Sequence, residues 1–144
     1  MKILFVCTGN ICRSPTAHAV LRHLAAESGA DVYVESAGTH AYHVGHGSDP
    51  RSVAAARLRG YDMSDIRARQ VTFGDFEDFD LILAMDAGHK QILEKAAPKA
   101  LHHKIKMFDD IDVGDPYYGS GDGFERVLDQ IEVACRRWLT NIRI

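Results

Sequence analysis

Lys2-Ile3-Leu4-Phe5-Val6-Cys7-Thr8-Gly9-Asn10-Ile11-Cys12-Arg13-Ser14-Pro15 decides how this chain folds. Residues 2–6 form a short apolar run, the pattern of a parallel strand buried on both faces. Ala17, Val20, Leu21, Leu24 and Ala25 follow at helical spacing. Ser14 suits an N-cap and Pro15 the first helical position. The segment between them, Cys7 to Arg13, therefore joins the end of a strand to the start of a helix.

Such a junction binds anions. Successive backbone N–H groups of Thr8, Gly9, Asn10, Ile11, Cys12 and Arg13 can converge as a nest, and the helix dipole adds partial positive charge. Gly9 and Asn10 tolerate the positive φ that a tight cradle demands. The planar fork of Arg13 fits two phosphate oxygens at once. Cys7 stands at the strand's last position, at the bottom of the cup. An ordinary thiol has a pKa of about 8.5, which a helix N-terminus and a nearby Arg lower. The pattern is a thiolate nucleophile aimed at a tetrahedral anion. A metal reading of Cys7 and Cys12 lacks the second ligand pair that a structural zinc site uses, so neither metal nor other cofactor is expected.

The chain has 144 residues, which suits one domain over 1–144 with one core. Its net charge of −3 gives no basic excess for nucleic acid or an anionic membrane. No apolar run reaches spanning length. The N-terminus leads straight into a strand without a signal-peptide pattern. Three cysteines fit a reducing compartment better than a disulfide framework. The expected location is the cytoplasm.

Further along, Gly29 sits as a C-cap. Val32-Tyr33-Val34 reads as a second strand, followed by Ser36-Ala37-Gly38-Thr39. His40, His43 and His46 recur every third residue, but in a loop that fixes no helical face they read as solvent-facing. Tyr42 among them is either a recognition residue or a core anchor. Ser48-Asp49-Pro50 starts a capped helix that Gly60 ends. Arg67 and Arg69 read as solvated or salt-bridged. Thr72 to Asp75 resembles a capped turn, and Phe73, Phe76 and Phe79 read as core. Residues 80–85 form a third buried strand, after which Asp86 caps a helix that Pro98 stops. A fourth strand spans Lys104 to Phe108, before the acidic loop Asp109 to Gly119. Phe124, Val127, Leu128, Ile131, Cys135, Trp138, Leu139 and Ile142 make one helical stripe, with Cys135 a buried structural thiol. Strands alternating with helices give an α/β domain with a parallel sheet and helices on both faces.

The Cys7–Pro15 loop resembles the signature of the low-molecular-weight protein-tyrosine phosphatases. Ser36-Ala37-Gly38-Thr39, Arg67-Ala68-Arg69-Gln70 and Asp115-Pro116-Tyr117-Tyr118-Gly119 extend the likeness over essentially the whole chain. The resemblance implies a flavodoxin-like sheet of four strands in order 2-1-3-4, the phosphotyrosine protein phosphatase I type. It implies that Ser36 hydrogen-bonds Asn10, that Tyr42 walls the crevice, and that partners are phosphotyrosine proteins, a tyrosine kinase among them. It also implies that Cys7 and Cys12 can bond on oxidation; the alternative is that Cys12 simply fills the loop. Two departures stand out. Arg67 precedes Ala68-Arg69-Gln70 where some members carry histidine, and His89 replaces a frequent asparagine.

Expelling tyrosine's phenolate near neutral pH needs an acid, because a phenol's pKa is about 10. Among Asp109, Asp110, Asp112 and Asp115, the last is favoured. Pro116 stiffens it, and Tyr117 and Tyr118 are placed to shield its carboxyl and raise its pKa. The other aspartates read as solvated charges. The resemblance agrees on Asp115 as general acid and then base. Cys7 is the expected nucleophile, forming a cysteinyl-phosphate, and Ser14 is expected to donate to its sulfur. A protein-arginine phosphatase of the same fold is the first alternative, but Ile11 and the paired tyrosines favour phosphotyrosine. An arsenate reductase needs shuttle cysteines that this chain does not offer. A phosphotyrosine-binding module without turnover would have lost its nucleophile or acid.

Overall fold

A computed structural model describes residues 1–117 and 122–142. Tyr118, predicted to recognise substrate, lies outside the described residues. Strand β1 (Lys2–Cys7) is followed by helix α1 (Arg13–Ser28) and β2 (Tyr33–Gly38). Helices α2 (Pro50–Leu58) and α3 (Phe73–Asp78) precede β3 (Leu81–Ala84) and α4 (Ala87–Ala96). A 3-10 turn leads into β4 (Ile105–Met107), and α5 (Gly123–Ile142) closes the described fold. The four strands are parallel in the order β2-β1-β3-β4, as the resemblance implied.

β1 lies centrally because nothing in it needs water: Ile3, Leu4, Phe5 and Val6 are fully buried. Their alternation sorts the core into two layers. Ile3, Phe5 and Cys7 share one cluster with Leu81, Leu83 and Met85 and with residues of α1 and α5. Leu4 and Val6 share the other with Ile82, Ala84, Phe76 and Leu93, beneath α3 and α4. Cys7 therefore ends the strand on the α1 side, at the sheet's carboxyl edge, where open α/β sheets bind ligands. The α5 stripe packs as its spacing predicts. Phe124, Leu128, Ile131, Cys135 and Leu139 are buried, and the Trp138 indole donates to the carbonyl of Phe108.

Several local expectations need correction. α1 starts at Arg13, and its N-cap is Cys12, with no side-chain cap. Ser14 is thus inside the first turn, and its hydroxyl is free for the Cys7 sulfur. Phe76 and Phe79 are buried, but Phe73 is exposed, because a six-residue helix shows only one face to the core. β4 stops at Met107, one residue short of Phe108, whose N–H still bonds Ala84. The box at Thr72–Asp75 forms as expected, and Asp49 caps α2 by accepting from the Arg51 N–H with Pro50 at the first position.

Candidate active site

The loop after β1 is sewn down from both sides. Thr39 N–H donates to Cys7 O, His40 N–H to Thr8 O, and Asp49 N–H to Ile11 O. A side chain at Gly38 would meet Thr8 O at 2.6 Å, so only glycine lets β2 approach this closely. Asn10 carries the one non-glycine positive φ among the described residues, 57°. Its side chain holds that conformation: Nδ2 donates to Ser14 Oγ at 2.8 Å, and Oδ1 accepts from Arg69 N–H at 3.1 Å. Gly9 does not take a positive φ. It is glycine for space, since a Cβ there would lie 2.8 Å from the His43 ring.

Ser36 does not touch Asn10, contrary to expectation. Its hydroxyl lies 2.9 Å from His18 Nδ1, one turn into α1, and the Arg69 backbone takes its place as the partner of Asn10. Arg67 itself donates to the carbonyls of Ser64 and Ile66. The Arg69 side chain pairs with Asp75 and Glu35, the salt-bridged role expected of it.

Inside the cup, Cys7 Sγ lies 2.9 Å from Ser14 Oγ, and both residues are buried. Arg13 is buried, and three hydrogen bonds hold its guanidinium. Nη1 donates to Asp86 Oδ2 at 3.1 Å and to Val113 O at 3.0 Å, and Nη2 donates to Thr8 Oγ1 at 3.4 Å. Asp115 Oδ2 stands 3.7 Å from Nη2. A guanidinium fixed this way is oriented before any ligand arrives. Cys7, Thr8, Gly9, Ile11, Cys12, Arg13, Tyr42, His43, Asp115 and Tyr117 line a cavity of about 160 Å³. Of the predicted site residues, Asn10, Ser14 and Ser36 stand behind this lining as supports.

The aspartates divide otherwise than expected. Asp115 keeps a side chain 40% exposed and accepts from Tyr117 N–H at 3.0 Å. The Tyr117 ring lies 5.3 Å from the Arg51 guanidinium and lines the same cavity as Asp115. Asp109 is not merely solvated. Arg137 and Gln130 donate to it and hold its carboxyl below the usual range against the opposing effect of burial. Asp112 accepts from the Ala87 N–H at the start of α4. Only Asp115 faces the cavity.

Tyr42 is exposed, stacks on His40 with 5.0 Å between centroids and lines the cavity, so it is not a core anchor. His43 was read as a solvent-facing loop residue, but it walls the cavity beside Gly9 and Tyr117. No cluster of metal-ligating side chains occurs among the described residues. Cys12 is buried, and desolvation pushes its thiol up to about 12. Cys135 is buried in apolar surroundings that push its thiol higher still. Two site residues escaped the sequence reading. Asp86 was read only as a helix cap, although a carboxylate ending a strand beside the Cys7 strand was a signal for an Arg13 partner. His89 was noted only as a departure.

The description "Low molecular weight phosphotyrosine protein phosphatase" matches residues 2–144. The chain belongs to this family. A Streptomyces coelicolor low molecular weight protein-tyrosine-phosphatase is 42% identical over 154 residues, 99% of this chain and 93% of the relative. The crystal structure of an Entamoeba histolytica protein tyrosine phosphatase with Hepes in its active site superposes with a TM-score of 0.95. It is 38% identical and covers 99% of this chain and 97% of that one. YwlE, an arginine phosphatase, is also similar, at TM-score 0.92 and 32% identity over 99% and 96% of the two chains. The phosphatase family thus includes members named for different phosphorylated side chains, which directs attention to the walls of the cavity rather than its floor. No helix among the described residues is long and apolar enough to cross a membrane.

Proposed function

We propose that this chain is a metal-independent protein-tyrosine phosphatase, working as one domain over residues 1–144. The observation that carries this reading is the cavity itself, with the Cys7 sulfur against a hydroxyl at its floor and Arg13 and Asp115 together at its side. Cys7 attacks phosphorus in line, so an S–P bond forms as the P–O bond to tyrosine breaks. Amides of Thr8 to Arg13 and the Arg13 fork hold the equatorial oxygens, where charge must be balanced throughout. Asp115 gives its proton to the departing tyrosine oxygen. It then takes one from the water that attacks the cysteinyl-phosphate, and the thiolate leaves with inorganic phosphate. The Ser14 hydroxyl, held by Asn10, donates to the sulfur and favours its anionic form at both ends of the cycle.

Ile11, Tyr42 and Tyr117 line the cavity that receives the phenol ring. Aromatic walls suit a planar ring of matching size. The guanidino group of phosphoarginine is also planar, and the likeness to YwlE keeps an arginine phosphatase as the rival specificity. The substrates are phosphotyrosine-bearing proteins, with the tyrosine kinase that makes them as a natural partner. The three free cysteines suit the cytoplasm. Oxidation that joins Cys7 to Cys12 would be a reversible shelter for the nucleophile.

Phosphate release from phosphotyrosine and phosphoarginine peptides, measured side by side in chelator, tests the reading. Turnover of phosphotyrosine alone, lost in Cys7→Ser, is the expected result. Preference for phosphoarginine would overturn the specificity and leave the cup chemistry standing. Tight binding without release would mark a binding module.

A further inference from the structure

We propose that His89 is a positioning residue, joining Thr8 to Asp86 so that Arg13 is held at both ends of its fork. His89 lies in the first turn of α4 and is 4% exposed. Its Nε2 is 2.8 Å from Thr8 Oγ1, and its Nδ1 is 3.1 Å from Asp86 Oδ1. Asp86 Oδ2 is 3.1 Å from Arg13 Nη1, and Thr8 Oγ1 is 3.4 Å from Arg13 Nη2. These four residues close a ring that spans the phosphate loop, α1 and α4.

The ring has one consistent proton order. Nδ1 faces a carboxylate oxygen, so it carries the hydrogen; the other tautomer would set a lone pair 3.1 Å from that oxygen. Nε2 then accepts from the Thr8 hydroxyl, which leaves the Thr8 oxygen's lone pairs turned to Arg13 Nη2. Nδ1 is buried without a well-aligned hydrogen bond. The Asp86 oxygen beside it already accepts from the His89 backbone N–H at 2.8 Å, so the imidazole meets Asp86 through charge rather than a linear bond. The groups facing His89 are Arg13, Asp86, Asp115 and His40. Burial and the Arg13 charge outweigh the two aspartates and lower His89 to about 4. His89 is therefore neutral near pH 7, and its Nε2 is available as an acceptor.

The inference rests on the phosphatase reading, and the test separates the two. Hydrolysis of p-nitrophenyl phosphate and its inhibition by inorganic phosphate are measured in wild type, His89→Leu, His89→Gln and Thr8→Val. His89→Leu fills the space without a hydrogen bond, and the phosphate Ki is expected to rise about tenfold. His89→Gln restores an amide near Nε2 and should bring Ki back to within about threefold. Thr8→Val also loses the bond from Arg13 Nη2, so adding it to His89→Leu should cost more than nothing but clearly less than the product of the two single effects, since the two share the His89–Thr8 link. A Ki within about twofold of wild type in His89→Leu, or full multiplication of the two effects, overturns the proposal. A second measurement needs no variant: the long-range ¹H–¹⁵N spectrum of the wild-type imidazole should show Nδ1 protonated. The opposite tautomer would overturn the proposal. An inactive wild-type enzyme would instead overturn the phosphatase reading, and this inference with it.

Discussion

The carboxyl edge of the sheet and the interface of α1 with α5 both bury a cysteine, and they bury it in opposite ways. Cys135 lies among the α5 stripe, with only the carbonyl of Ala17 near, 3.9 Å from its sulfur. Cys7 is hardly more exposed, yet its sulfur meets Ser14, opens on a cavity and shares that cavity with a buried guanidinium. Burial alone disfavours a thiolate, as it does at Cys135. Reactivity comes from what is buried alongside. The packed interface is stable because it contains almost nothing polar. The cup buries Arg13, Asn10 and Ser14 and must satisfy each of them, which it does with Asp86, Val113, Arg69 and the Cys7 sulfur.

Substitutions that treat the two regions alike should therefore give unlike results. Cys7→Ser is expected to lower turnover on the order of 10⁴-fold or more while the protein stays folded. Cys135→Ser should leave kcat within about twofold and instead lower stability, by about 1–3 kcal/mol, by placing a hydroxyl in an apolar layer. If Cys135→Ser reduced activity in a fully folded protein, the division between the regions would fail.

Asp115→Asn comes next. Loss of the acid should slow phosphotyrosine hydrolysis by about 10²–10⁴-fold. The loss should be far smaller for p-nitrophenyl phosphate, whose leaving group needs less help. Equal losses on both substrates would move the acid role elsewhere. Leu128→Ala sharpens the comparison from the other side. Leu128 is almost wholly buried, so truncation should cost about 2–5 kcal/mol in denaturant unfolding, with KM unchanged below the transition.

Much of this was legible because the two regions write different patterns. The α5 stripe follows a 3.6-residue period, and β1 is a continuous apolar run, so both could be read without knowing their neighbours. Cys7, Arg13 and Asp115 were also readable as a set from their chemical types, and the structure lines one cavity with all three. The supports were not. Which residue meets Asn10, Ser36 or Arg13 depends on which loops share the sheet edge. Ser36 meets His18, and the Arg69 backbone meets Asn10. Ser14 looked like a cap because its sequence neighbours suit one, yet the helix begins two residues earlier, at Arg13, and the hydroxyl turns to the sulfur. The place of His43 in the wall was not legible, because its three-residue spacing with His40 and His46 falls in a loop, where spacing fixes no face.

The smallest effect concerns pH. Burial lowers His18 from 6.5 to about 4, so between those values the unfolded chain binds more protons there than the folded one. Stability therefore rises with pH through that window and is lost as pH falls from about 6.5 toward 4. Thermal unfolding of His18→Gln should show a shallower decline on acidification than wild type. An unchanged slope would show that other groups govern it.

The most direct test of the central claim is to mix enzyme and phosphotyrosine peptide, quench in acid within the first turnovers, and map phosphate by mass spectrometry. The account predicts a phosphate adduct on the peptide containing Cys7, absent in Cys7→Ser. An adduct on another residue, or steady turnover in Cys7→Ser, would contradict it.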